Sequence, residues 1–204
     1  KTSANGVAVD GVILKDGAIG AAGTAQTVAG IPFFQGDTGS IYTHDVSGTD
    51  NTAQYNTAYG LTALDAITTG DQAVAIGYGA GGANTTGSGT FLGHLAGAGQ
   101  TTAVNTIAIG NNACGTGTLV GNNNTVIGGN ALENGANAND NTGLGYNVLN
   151  AVTTGGRNIG IGIQAADGFD TESDNLAIGY NALGGPVAGG EYNVAVGNYT
   201  LDAL

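Results

Sequence analysis

Short apolar runs punctuate an otherwise polar chain at regular intervals. "NTIAIGNNACG" (105–115), "NTVIGGNALEN" (124–134) and "NLAIGYNALGG" (175–185) each alternate like a β-strand, yet each is rich in Gly and Asn. Taking the Gly after the aliphatic residue as an anchor gives Gly60, Gly77, Gly93, Gly110, Gly128, Gly145, Gly162, Gly179 and Gly197. Their spacings are 17, 16, 17, 18, 17, 17, 17 and 18 residues. A period of this length is the signature of a solenoid.

Reading each position down the stack gives the pattern its content. One residue before the anchor stand Tyr59, Ile76, Leu92, Ile109, Ile127, Leu144, Ile161, Ile178 and Val196. Three before it are Thr57, Val74, Thr90, Ile107, Thr125, Thr142, Ile159, Leu176 and Val194. Between these two columns the residue is usually Ala or Gly, and Ala recurs three residues after the anchor. Asn opens six units, at Asn56, Asn124, Asn141, Asn158, Asn175 and Asn193, where it can form a ladder or hold a tight turn. Strand side chains alternate faces, so one face is bulky and the other small. The expectation is a coil with the bulky face inside and the Ala/Gly face packed against another layer or chain. Each repeat is expected to hold about two short strands and two turns, with segments such as "ITTGD" (67–71) and "VTTGGR" (152–157) as the turns. Nine coils rising about 4.8 Å each make a rod roughly 40 Å long.

The period divides the chain into an N-terminal β segment (1–50), expected to dock the rod or nucleate a trimer, and a repeat domain of nine units (51–204). Before residue 51, "GVAVDGVILKDGAIG" (6–20) carries two Asp-Gly turn signals among apolar alternations, which predicts short hairpins. "GIPFFQGD" (30–37) has the densest aromatic content.

Composition narrows the core that such coils could build. Forty of 204 residues are Gly, there is no Met or Trp, and only 9% are charged. Proline is scarce and glycine follows no three-residue period, which excludes collagen. A net charge of −12, with only three cations, argues against a nucleic-acid partner and against anionic membrane surfaces. No stretch has the ~20 apolar residues of a membrane span, and no signal-peptide pattern opens the chain. The chain begins with Lys1 and ends at "YTLDAL" inside a repeat, as expected of a segment of something longer.

The run N-x-A-I-G-x-N-A-L, seen in "NLAIGYNALGG" and "NTIAIGNNACG", resembles the head repeats of YadA-like trimeric adhesins. It is more similar still to β-roll repeats of bacteriophage tail-fibre and other virion-fibre proteins. The resemblance covers residues 51–204 and implies an all-β, left-handed parallel β-roll with three chains side by side. It also implies a virion or extracellular location and a role in fibre structure, adhesion and host attachment. The adhesin repeat is usually shorter than the one here, so one turn is expected to be enlarged. The sequence shows no coiled-coil stalk, membrane anchor or self-cleaving chaperone segment, which favours a virion-fibre fragment over a complete adhesin. The implied partners are two further copies of the chain, other virion proteins through the N-terminal segment, and host-surface glycan.

Candidate chemistry is sparse. "IGYGAG", "IGNNAC", "IGGNAL" and "IGYNAL" fit the hexapeptide of left-handed β-helix acyltransferases, but only once per repeat rather than on every side of a coil. Such an enzyme needs a general base, and the only histidines are His44 and His94, the latter at a variable repeat position. No catalytic residue, cofactor or metal site is assigned, and the chain is not read as an enzyme. "DGFDTESD" (167–174) gathers Asp167, Asp170, Glu172 and Asp174 without the spacing of a calcium loop, and reads as a solvated turn. Cys114 stands where other repeats carry Leu, as a small core residue. Tyr78, Tyr146 and Tyr180 share the position after the anchor and are the candidate glycan contacts, since exposed rings stack on sugar faces. The same rings could instead edge the core or line an intersubunit seam.

Overall fold

A computed structural model describes residues 40–43, 51–115, 121–168, 170–185 and 190–202, and the backbone of four strands nearer the N-terminus. Those four are β1 (Val7–Val9), β2 (Val12–Leu14), β3 (Gln26–Val28) and β4 (Ile31–Gln35). β1 and β2 pair antiparallel across the two-residue Asp10-Gly11 connection, as the turn signal predicts. His44 and the "KDG" turn signal lie outside the described residues.

β5 (Ile41–Tyr42) and nine further strands form a ten-stranded parallel sheet, the spine of a β-solenoid of about eight turns. The nine are β6 (Thr57–Tyr59), β7 (Val74–Ile76), β8 (Gly89–Leu92), β9 (Thr106–Ile109), β10 (Thr125–Ile127), β11 (Thr142–Leu144), β12 (Ile159–Ile161), β13 (Leu176–Ile178) and β14 (Val194–Val196). Every strand pairs with the next in the register of the repeat, so Ala58, Ala75, Phe91, Ala108 and Val126 form one continuous column. β4 pairs antiparallel with β5, and β3 with β4, so a hairpin closes one edge of the sheet.

The coil is filled in the reverse sense to that expected. The small residues at the strand centres, including Ala58, Ala75, Ala108 and Ala177, are buried, while Tyr59, Ile76, Leu92, Ile127 and Leu144 are exposed. Ile178 follows the outward column and is half-buried, whereas Ala177 lines the interior. The reason is the width of the coil. The strand centre faces Ala63, Ala80, Ala113, Ala131 and their equivalents three residues past the anchor, and together these leave no room for a column of isoleucines. Bulk enters instead one residue later, through Leu64, Leu132, Leu149 and Leu183, all buried, with Cys114 in the same column.

The second expected strand of each coil is absent among the described residues, where a chain of turns takes its place. Residues two and four past the anchor adopt positive φ even when they are not glycine: Asn112 (57°) and Cys114 (49°), Asn130 (52°) and Leu132 (48°), Asn147 (52°) and Leu149 (53°). This alternation turns successive N–H groups up and down the axis. Asn130 N donates to Asn111 O of the preceding coil at 2.9 Å, and Leu132 N donates to Val148 O of the following coil at 2.9 Å. The return side is therefore hydrogen-bonded coil to coil without being a sheet, which satisfies backbone groups that burial would otherwise penalise.

Two columns fix the spacing. At the anchors φ lies between 124° and 146°, and a Cβ on Gly145 would overlap the carbonyl oxygen of Gly162 in the next coil. Only glycine meets both demands. At the start of β10–β14 the asparagines form the expected ladder. Asn141 N donates to Asn124 Oδ1 (3.0 Å), Asn158 N to Asn141 Oδ1 (2.9 Å) and Asn175 N to Asn158 Oδ1 (3.0 Å). Each amide also donates across the corner, as Asn158 Nδ2 does to Glu172 O at 2.8 Å. Replacing Asn158 with Ala removes the side-chain acceptor of the Asn175 N–H and the amide that donates to Glu172 O. It should cost about 3 kcal/mol, read as a lower midpoint in guanidinium unfolding, whereas Asn137→Ala on the exposed turn should leave that midpoint nearly unchanged.

Candidate functional site

Alternation along a strand only three residues long decides what the rod shows to its surroundings. With the strand centre committed to the interior, the residues on either side point away from it. Tyr59, Ile76, Leu92, Ile127, Leu144, Ile161 and Val196 are 38–62% exposed, and Ile107, Ile159 and Val194 flank them. Register stacks these into a continuous aliphatic stripe down the sheet. Eight spacings by four residues make it roughly 38 Å long and about 13 Å wide. That is near the upper end of the ~300–600 Å² apolar patches that isolated proteins carry.

The column after the anchor extends this face with aromatic rings. Tyr78 is stacked on His94, with centroids 5.5 Å apart and planes at 16°. His94 Nδ1 lies 3.2 Å from Asn111 Nδ2, so the imidazole is held between two coils of the same column. Tyr146 lies beside Gly129, the one position of the column with no side chain. Tyr180 meets Tyr199 edge to face at 5.1 Å. Tyr78, Tyr146 and Tyr180 thus occupy one column, separated by intervening coils, and they are not gathered into a pocket. All three are exposed and border the aliphatic stripe.

The remaining polar groups are engaged singly. Asp174 accepts from Arg157 Nε (2.6 Å) and NH2 (2.7 Å), which holds its carboxyl below the usual range and raises the guanidinium. Glu172 is buried, and its Oε2 accepts the backbone N–H groups of Asp170 (2.9 Å) and Thr171 (3.0 Å). Asp170 accepts from the Thr153 hydroxyl, and Asp167 from Gln164 Nε2 (3.3 Å). Partial burial pushes the Asp167 carboxyl above its ordinary value. The four acids of the 167–174 turn therefore face four different partners, and among the described residues no group of His, Cys, Asp and Glu converges on a common point. No helix is long and apolar enough to cross a membrane among the described residues. In its column His94 stacks on Tyr78 and meets Asn111 Nδ2.

Comparison with protein-family models, curated proteins and solved structures yields no match to this chain.

The outward isoleucines were expected inside because the leucine column that holds Cys114, although read as core, was not weighed against them for the same narrow interior. Leucine stands four residues past the anchor in five of the nine repeats, at Leu64, Leu132, Leu149, Leu183 and Leu201, and the first four are buried in the narrow coil. That is the signal by which the outward face could have been found.

Cys114 belongs to this leucine column. Burial pushes its thiol from 9.0 up to about 12, partly offset by a hydrogen bond with Gln100. The folded state keeps the proton that the unfolded chain loses near pH 9, so the stability linked to this group is complete below pH 9. It declines as pH rises from 9 towards 12. Cys114→Ala should flatten that alkaline decline in urea unfolding, and the native thiol should stay unreactive towards a disulfide reagent at pH 8 until the chain is unfolded.

Proposed function

We propose that the chain is a structural segment of a trimeric fibre of a bacteriophage virion, which projects or supports recognition of the host surface. The observation that carries the reading is the aliphatic stripe. A row of isoleucine, leucine and valine side chains held in register along the whole sheet is costly in water, at about 25 cal/mol per Å². Three parallel copies around a common axis cover it symmetrically, each coil meeting its own equivalents. The resemblance of the repeat to virion-fibre and trimeric-adhesin heads supports the same arrangement, including a left-handed coil. A bacterial adhesin head would share this geometry and differ in what carries it.

The mechanism is mechanical. Axial hydrogen bonding converts a small set of residues into length, and threefold repetition presents every surface feature three times, so weak contacts gain avidity. The acidic surface keeps neighbouring fibres apart. The N-terminal strands β1–β4 are assigned to docking on other virion proteins.

Sedimentation equilibrium tests the reading, together with electron microscopy of the purified chain. The expected mass is three times 19.7 kDa, in a straight rod. Ile127→Asp combined with Ile161→Asp should convert the trimer to monomer at micromolar concentration while the β-type circular dichroism persists. A wild-type chain that sediments as a monomer would overturn the proposal.

A further inference from the structure

The aliphatic stripe has two borders, and they differ in chemistry. On the side where each strand begins, five residues before the anchor, a corner residue takes the left-handed conformation in every repeat but that of Ser88. These corner side chains form a polar column along the rod. Asn105 Nδ2 donates to Asn123 Oδ1 (3.3 Å), Asn123 Nδ2 to Asp140 Oδ1 (3.0 Å), and Arg157 to both oxygens of Asp174. On the other side, one residue past the anchor, runs the column of Tyr78, Tyr146 and Tyr180. The two borders are matched repeat by repeat. Each of these tyrosines shares its repeat with a hydrogen-bond acceptor at the corner: Tyr78 with Gln72, Tyr146 with Asp140 and Tyr180 with Asp174. Where the corner residue is itself a tyrosine, at Tyr55 and Tyr192, the far border carries Leu61 and Asn198. Both carboxylates of the corner column are thus answered by a phenol, and no repeat has tyrosine on both borders.

Within one copy these pairs do not close. The three-residue strand between the borders is itself about 10 Å long, against ~2.7 Å for an O–H···O bond. Between copies they can meet. Rotation about an axis parallel to the rod keeps every atom at its own height, so the corner border of one copy faces the tyrosine border of the next at the same coil. Asp140 and Tyr146 are the pair best prepared for this. The Tyr146 ring lies beside Gly129 of the preceding coil, 3.3 Å from where a Cβ would stand. Asp140 leans towards that preceding coil too, through its bond from Asn123. Both side chains therefore tilt in one direction along the axis, which keeps carboxylate and phenol level across the gap. Among the described residues Asp140 Oδ2 and the Tyr146 hydroxyl make no hydrogen bond. With three cations in 204 residues, phenol hydroxyls are the donors that the chain can set against its carboxylates.

We propose that neighbouring copies of the chain join along this seam, corner column against tyrosine column, with Asp140 accepting the Tyr146 hydroxyl of the next copy at the same coil height. The inference rests on the parallel assembly of the fibre reading and deepens it by naming the edges that meet and their register. The test is photo-crosslinking of the full chain carrying Tyr146→p-benzoylphenylalanine, mixed with isotope-labelled wild-type chain so that adducts between copies are recognised by mass. Most adducts between copies should fall at residues 139–141 or at the adjoining corner, 122–124. Sedimentation then measures the bond itself. Tyr146→Phe and Asp140→Ala should each raise the concentration at which copies dissociate at least fivefold, and the double variant should lose no more than the larger single loss. Circular dichroism confirms that each variant keeps the wild-type β signal. A wild-type trimer whose adducts fall elsewhere, or whose two single losses multiply in the double variant, removes the seam and leaves the fibre. Adducts at 139–141 in a chain that sediments as a dimer remove the threefold fibre and keep the seam. A monomer without adducts between copies removes both.

Discussion

Axial hydrogen bonding at a single coil spacing is the constraint from which the rest of the molecule follows. Each coil must present its backbone donors and acceptors in register with the coils on either side, on the sheet and on the return side alike. That demand requires glycine at the anchor, where the backbones of successive coils touch, and asparagine at the corner, where an amide can serve two coils at once. It also fixes the width of the interior, and so restricts the strand centres to alanine, glycine or valine in nearly every coil.

The exception shows how tightly space is shared. Phe91 replaces alanine at a strand centre, and glycines surround it. Side chains at Gly81, Gly89 or Gly97 would each run into its ring. One oversized residue is accommodated by removing Cβ atoms from its neighbours. The same stretch loses the asparagine ladder at Ala73, Gly89 and Thr106, and leaves Asn84 Nδ2, Gln100 Oε1 and Thr106 Oγ1 buried without partners. Irregular filling and irregular length thus coincide in the coils on either side of β8.

The period, the register and the ladder were legible because they depend on identity at fixed spacing, which a sequence displays directly, although the nine expected coils are about eight turns. Gly60 through Gly197 and Asn124 through Asn193 could be read off as columns. Which face of β6–β14 points inward was not legible from the strand alone. A three-residue strand alternates equally well either way, and the decision belongs to residues such as Ala131 and Leu132, which reach the interior from the far side of the coil. The return side was misjudged for a related reason. Its left-handed residues include Leu132 and Leu149, types with no local preference for that conformation, held there by hydrogen bonds to other coils. The tyrosine column was legible in position, while its environment beside the aliphatic stripe depended on the inward–outward choice.

The hairpin of β3 and β4 has a consequence for growth. A stack of identical coils carries an unsatisfied edge at each end, and each edge is a template for another coil. By pairing antiparallel with β5, β4 occupies one of those templates with a strand of the wrong polarity for continuing the helix of coils. Stacking is thereby made one-directional. The coil beside β5 is a starting block against which later coils can order in sequence, each closing a loop of only one repeat and keeping the entropy of every step small.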